Sequence, residues 1–194
     1  MPTAKQSKSD IVYQLKVTLA GSKPPIWRRV LVPADISMAK LHQILQIVMG
    51  WTNSHLHQFD VGGTLIGVPD PDFGMPVRNE RTVKLSQCVR GEKSKFTYAY
   101  DFGDSWEHAI LVEKVLTAEP GARYPVCVAG KRACPPEDCG GVWGYADLLV
   151  AIRDTTHSEH DELLEWIGGH FDPEAFDLAA INQKLKPLQV ALAV

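Results

Sequence analysis

The sequence predicts an α+β domain in which an antiparallel sheet packs against helices and a C-terminal helical segment follows. Three observations carry this. Ile11 to Leu19 alternates apolar and polar residues with period two, Lys95 to Asp101 and Trp106 to Leu116 form a hairpin pattern, and the last third places its apolar residues at helical spacing.

The elements follow in order. Tyr13, Leu15, Val17 and Leu19 oppose Gln14, Lys16 and Thr18, as a half-buried strand requires, and Gly21 to Pro25 turns the chain. A second strand over Ile26 to Val32 puts Trp27, Arg29 and Leu31 opposite Arg28 and Val30. Ser37 is placed to cap a helix in which Leu41, Ile44, Leu45 and Val48 share one face, and Gly50 ends it. His55 to Val61 reads as a strand that Gly62-Gly63 turns into a partner, Thr64 to Val68. Residues 69 to 81 read as a loop and Thr82 to Cys88 as a turn or short helix. Glu119 to Trp143 holds four prolines, four glycines and three cysteines, which predicts irregular structure. Beyond it, Tyr145, Leu148, Leu149 and Ile152 make one helical stripe and His160, Leu163, Leu164 and Ile167 another. Asp172-Pro173 predicts the start of a third helix reaching about Leu185, where Pro187 stops it.

Composition narrows the class of function. With 194 residues, 45% hydrophobic and 22% charged, the chain suits one globular core: a leader over 1–10, a single domain over 11–186 and a tail over 187–194. The net charge of -3 gives no basic signature for a nucleic-acid partner. Charge is uneven: residues 1 to 30 carry six Lys and Arg against Asp10, whereas 154 to 177 carry eight carboxylates and no Lys or Arg. No apolar run is long enough to span a membrane, and Met1 to Asp10 is too polar for a secretory signal, so a cytoplasmic location is expected. In that reducing compartment the four cysteines are expected to be buried or to hold metal rather than to form disulfides.

Several segments together resemble one family. They are Pro25-Ile26-Trp27-Arg28-Arg29, Leu41-His42 leading to Gly50-Trp51, His55-Leu56-His57-Gln58-Phe59, Tyr100 to His108, Ala133 to Gly141, and Phe171-Asp172-Pro173-Glu174. Their order and wording resemble the plasmid Ri ORF-3-like proteins of bacteria and archaea, over roughly residues 10 to 186. The resemblance implies an association with plasmids and mobile elements but no established activity. Some members carry the label of a transposon resolvase. A helix-turn-helix candidate with a basic second helix is absent here, and the C-terminal helices are acidic, which repels phosphate.

Candidate sites follow from side-chain chemistry. An even hairpin loop centred on Gly103-Asp104 would pair Asp101 with Trp106 and put Thr97, Ala99, Asp101, Trp106, His108 and Ile110 on one face. Asp101 beside His108, joined by His55 and His57, would make a nitrogen and oxygen metal site or a ligand pocket. Against this, Asp101 and Asp104 are favoured turn residues and Trp106 a core aromatic. Arg28 and Arg29 are candidates for holding an anion. Cys127, Cys134 and Cys139 with His157 or His160 could form a structural zinc site, although six- and four-residue gaps between the cysteines depart from the usual short knuckles.

The residues favour a binding domain for a small ligand or protein partner. The alternative is a metal-dependent hydrolytic enzyme with His55, His57 and His108 as ligands and Asp101 or Asp104 as ligand or base. A weaker alternative is a nucleic-acid accessory protein using Arg78, Arg81, Lys84, Arg90, Lys93 and Lys95. Neither a phosphate-binding glycine loop, nor a Gly-x-Ser-x-Gly elbow, nor a His-Glu-x-x-His pair is present.

Overall fold

The computed structural model describes residues 10–70 and 76–192. The expected leader, apart from Asp10, and part of the loop expected over 69 to 81 lie outside these residues. The strands are β1 (Ile11–Leu19), β2 (Trp27–Pro33), β3 (His57–Val61), β4 (Thr64–Gly67), β5 (Arg78–Asn79), β6 (Lys95–Tyr100), β7 (Trp106–Thr117), β8 (Arg123–Tyr124), β9 (Val126–Lys131) and β10 (Val190–Ala191). The helices are α1 (Met38–Met49), α2 (Leu85–Cys88), α3 (Gly141–Ala151), α4 (His160–Trp166) and α5 (Leu178–Leu185).

Eight strands form one sheet in the order β5-β4-β3-β6-β7-β1-β2-β9, and β8 and β10 pair separately. The large sheet is antiparallel apart from the short β4–β5 edge. Each long strand turns one set of alternate residues inward. Leu15, Val17 and Leu19 of β1 join Val30 and Val32 of β2, Phe96, Tyr98 and Tyr100 of β6, and Trp106, Ile110 and Val112 of β7 in one core. Helix α1 closes that core with Leu41, Ile44, Leu45 and Val48. Gln14, Lys16 and Thr18 lie on the opposite face of the sheet, less buried than their neighbours, which is the two-layer arrangement that period-two patterning predicts.

Helix α1 begins and ends where the sequence places it. The Ser37 side chain accepts from the Lys40 amide at 3.1 Å, and Gly50 closes the helix in the left-handed region at φ 111°. Ser37→Ala is expected to lower stability by about 1 kcal/mol, read as a shift in the urea midpoint with unchanged slope.

Three sequence expectations are corrected. The stretch Glu119 to Trp143 is not irregular throughout: β9 pairs with β2 and forms an edge of the sheet. An edge strand needs a partner on one side only, so Pro125 before it and Gly130 within it are tolerated. At Gly130 a Cβ would lie 2.4 Å from the Phe176 ring, so the missing side chain is what lets that ring settle on the sheet. Next, the last helix starts at Leu178, capped by Asp177, whose side chain accepts from the Ala180 amide at 2.9 Å, rather than being capped by Asp172. Residues 172 to 176 are held to the end of β9 instead, through Ala133 N–H to the Pro173 carbonyl at 3.0 Å and the Arg132–Glu174 ion pair. The expected tail also contributes a short strand, β10, which pairs with β8.

The third correction is the hairpin. Tyr100 pairs with Trp106 and Tyr98 with His108, so the connection is the odd five-residue loop 101 to 105. Trp106, His108 and Ile110 therefore share a face with Phe96, Tyr98 and Tyr100, and Asp101 is not their cross-strand neighbour.

Candidate metal centre at the hairpin turn

Released from the ladder, Asp101 organises the turn. It sits in the left-handed region at φ 56°, its carbonyl accepts from the Ser105 amide at 2.7 Å, and its Oδ1 accepts from the Gly103 and Asp104 amides at 2.9 and 3.3 Å. Asparagine and aspartate tolerate this conformation because the short polar side chain bonds its own turn. With Oδ1 engaged in the turn, Oδ2 faces His55 Nε2 at 3.7 Å.

His55 reaches this point on the segment linking α1 to β3. Trp51 buries its ring against Tyr100 and Trp106, the Ser54 amide donates to the Tyr100 hydroxyl at 3.0 Å, and the Asp101 amide donates to the Leu56 carbonyl at 2.9 Å. The imidazole stands edge-on to Tyr100.

A third segment, Glu137-Asp138, enters from the loop before α3. Asp104 Oδ2 accepts from the Gly140 amide at 3.1 Å and ties that loop to the hairpin turn. Glu137 is locked: Oε1 accepts from the Thr52 amide and from the Tyr100 hydroxyl at 3.0 Å, and Oε2 accepts from the Thr52 hydroxyl at 2.8 Å. Burial, with the Glu137 carboxylate beside it, pushes the Tyr100 hydroxyl up to about 12, so it stays a donor at neutral pH. Asp138 is exposed and, like Asp101, has a positive φ of 59°.

The three segments converge on one nitrogen. His55 Nε2 is 3.1 Å from Asp138 Oδ1 and 3.7 Å from Glu137 Oε2, besides its approach to Asp101. It is shielded from solvent yet makes no hydrogen bond. One ligand atom from each of His55, Asp101 and Asp138 lies within 4.8 Å of the other two, and no other such trio of His, Cys, Asp or Glu occurs among the described residues. A groove of about 480 Å³ opens from Asp138 between α3 and α4, lined by Asp147, Glu159, Glu162, Glu165 and Trp166.

The chain matches the family described as "Plasmid pRiA4b ORF-3-like protein" over residues 11–180. It belongs to that family. An uncharacterised protein of Sinorhizobium fredii, y4hQ, is 41% identical over 179 residues, which span 91% of this chain and 92% of that protein. The crystal structure of MM3350 from Methanosarcina mazei Go1, a protein of unknown function, superposes with a TM-score of 0.79 at 41% identity, covering 87% of this chain and 96% of that one.

Within this ORF-3-like fold the other candidate residues serve elsewhere. His57 bonds Glu80 at 2.7 Å and stacks on His42 with ring centroids 3.4 Å apart. His108 is fully buried, with Nδ1 against the Tyr98 carbonyl and Nε2 accepting from Trp51. Neither joins His55, so the expected cluster of His55, His57, Asp101 and His108 is replaced by one histidine with carboxylates. Trp106 is core, and Asp104 is a tie between loops. Arg28 turns inward and donates to the Val48, Trp27 and Lys131 carbonyls, whereas Arg29 is already paired with Glu113. Neither guanidinium is left to hold an external anion in the manner expected.

The cysteines and His157 or His160 do not come together as a zinc site. Cys127 points its thiol at the Ala129 carbonyl, His160 Nδ1 meets the Ala151 carbonyl, and His157 Nδ1 accepts from the Glu159 amide. Burial raises the thiols of Cys127, Cys134 and Cys139, the last to about 12. Glu137 and Asp138 carry no local signal of a site: in the run Cys134-Pro135-Pro136-Glu137-Asp138-Cys139 the cysteines have the familiar metal-ligand chemistry, but the carboxylates carry the geometry.

Proposed function

We propose that the domain binds one divalent metal ion through His55, Asp101 and Asp138, with the Glu137 carboxylate beside them, and uses it in hydrolytic chemistry. The observation that carries this is His55 Nε2, shielded and without a hydrogen bond, facing carboxylate oxygens from three residues. Three carboxylates crowded around one imidazole repel one another, and a divalent cation relieves that repulsion. A carboxylate-rich site with one imidazole suits a divalent ion such as hard Mn²⁺ or borderline Zn²⁺. The exposed Asp138 side leaves room for water and substrate, as a catalytic rather than a purely structural centre needs. The acidic groove that starts there disfavours phosphate esters and favours neutral or cationic substrates.

Calorimetry on chelator-stripped protein is expected to give one Mn²⁺ or Zn²⁺ per chain. His55→Ala should weaken binding by about a hundredfold. Asp101→Asn retains both the turn acceptor and the tolerance of positive φ, so it should keep the thermal midpoint while losing metal affinity at least about tenfold. Cys134→Ser should leave metal binding unchanged. Absence of stoichiometric binding, or wild-type affinity in His55→Ala, would refute the site. Loss of ester and amide hydrolysis that Mn²⁺ or Zn²⁺ does not restore would refute the chemistry while leaving the site standing.

A further inference from the structure

Helix α3 is apolar around its whole circumference, yet only part of it is covered. Asp147 is the one charged residue among its eleven. Tyr145, Leu148 and Ala151 are buried against the domain. Trp143, Ala146 and Val150, at i, i+3 and i+7, make a second apolar stripe that faces outward, with Trp143 82% and Val150 59% exposed. An indole so placed contributes little to folding, and a helix without a polar face belongs where both sides are covered.

The two flanks of this stripe differ in charge and shape. On one side Asp147 leads into the acidic groove, where Glu159, Glu162 and Glu165 surround the half-exposed indole of Trp166. On the other side Val142 and Leu149 border the β1–β2 turn, which presents Lys23 and Pro24 to solvent. That turn is seated closely on α3: Gly21 has a φ of 74°, and a Cβ there would lie 3.4 Å from the Val142 side chain. One flank therefore offers a cation and a proline, the other carboxylates and an aromatic ring.

We propose that the outer face of α3 is the interface of a twofold dimer, occupied by a second copy of this chain whose α3 runs parallel to the first. An isologous contact places one surface against itself, so its symmetry axis decides which parts meet. With the axis along the helix, each flank meets the opposite flank of the other copy. Lys23 and Pro24 then face the second copy's Asp147 and Trp166, while Trp143 and Val150 pack against their own counterparts. With the axis across the helix the two α3 helices would be antiparallel and each flank would meet itself, carboxylates against carboxylates, which costs affinity. Charge complementarity therefore selects the parallel pair. The indoles of Trp143 and Trp166 alone offer on the order of 300 Å² per copy, against the roughly 500 Å² per partner that a specific interface needs, and Ala146, Val150 and Pro24 add to it. The dimer stands apart from the metal reading and needs no metal.

Sedimentation velocity on the full chain tests this over about 1–100 µM, where a monomer–dimer equilibrium with a dissociation constant below about 50 µM is expected. Trp143→Ser should weaken association at least about tenfold. Its thermal midpoint at about 1 µM, where wild type is also monomeric, should match wild type because the indole packs on little within its own chain. Lys23→Glu and Asp147→Lys should each weaken the dimer about tenfold, and the double variant should recover it, since the two charges exchange places across the interface. An antiparallel pair would respond differently, because there each of these residues meets its own copy and reversing its sign changes nothing. The proposal is overturned if the chain stays monomeric at about 100 µM, if Trp143→Ser associates like wild type, if Lys23→Glu has no effect, or if the double variant is no stronger than either single one.

Discussion

Acidification from pH 6.5 to 4 is expected to remove several kcal/mol of stability, enough to unfold the protein before its carboxylates are fully protonated. The cause is a pair of histidines buried in neutral form. His108 offers Nε2 as acceptor to Trp51 and Nδ1–H to the Tyr98 carbonyl. His42 is held with Nε2–H toward the Asn53 side-chain oxygen, while its Nδ1 accepts from the Tyr98 hydroxyl, which in turn accepts from Gln46. Both arrangements use one ring nitrogen as an acceptor, and a proton there destroys the bond.

Burial is the main cause that drives both imidazoles from 6.5 down to about 4, with the stacked His57 adding to it at His42. The folded pKa lies below the unfolded one, so the unfolded chain binds more protons throughout that window. Stability is therefore complete above about 6.5 and falls as pH drops toward 4, by on the order of 3 kcal/mol for each histidine. A typical domain has only about 5–15 kcal/mol in total. Urea melts at pH 7, 5.5 and 4 would measure the slope. His108→Gln, which can still accept from Trp51 and donate to the Tyr98 carbonyl, should flatten it by about half. Glu113, held at about 2 by Arg29, titrates below this window and should not contribute to it. Equal stability at pH 7 and 4 would rule out this account.

The adjacent arginines should behave very differently when truncated. Arg28→Ala is expected to cost about 3–5 kcal/mol, because it leaves the Val48, Trp27 and Lys131 carbonyls without their donors and removes the cation that packs 5.0 Å from the Phe176 ring. It joins α1, β2 and the end of β9, so its loss loosens three elements at once. Arg29→Ala removes a pair with Glu113 on the outer, partly exposed face of the sheet, and should cost less than about 1 kcal/mol. Denaturant midpoints of the two variants decide this. A similar cost for both would mean that the inward guanidinium is not the structural tie its hydrogen bonds describe.

Much of the frame was legible because local patterns coincide with tertiary ones. The alternation in Ile11–Leu19, the Ser37 cap, the Gly50 stop and the Gly62-Gly63 turn each depend on residues a few positions apart, and each stands where expected. Where local signals competed with distant contacts they failed. Asp172-Pro173 has the form of a helix start, but bonds from Ala133 and Arg132 hold the following residues against β9. The proline- and glycine-rich stretch looked irregular, but the open side of β2 recruits it as a strand.

By itself, then, the sequence determined an α+β domain of this family, one sheet face covered by helices, and His55 and Asp101 as candidate site residues. Only the tertiary structure decided their company. A loop of five residues rather than an even number moved Asp101 off the face of His108, because side chains alternate along a strand and a single residue reverses their sides. The same loop freed one oxygen of Asp101 to turn toward His55, and Asp104, bonded to the Gly140 amide, helped bring Glu137 and Asp138 to meet them. These four residues span positions 55 to 138, and no local pattern in a chain encodes which distant segments will meet at the end of a sheet.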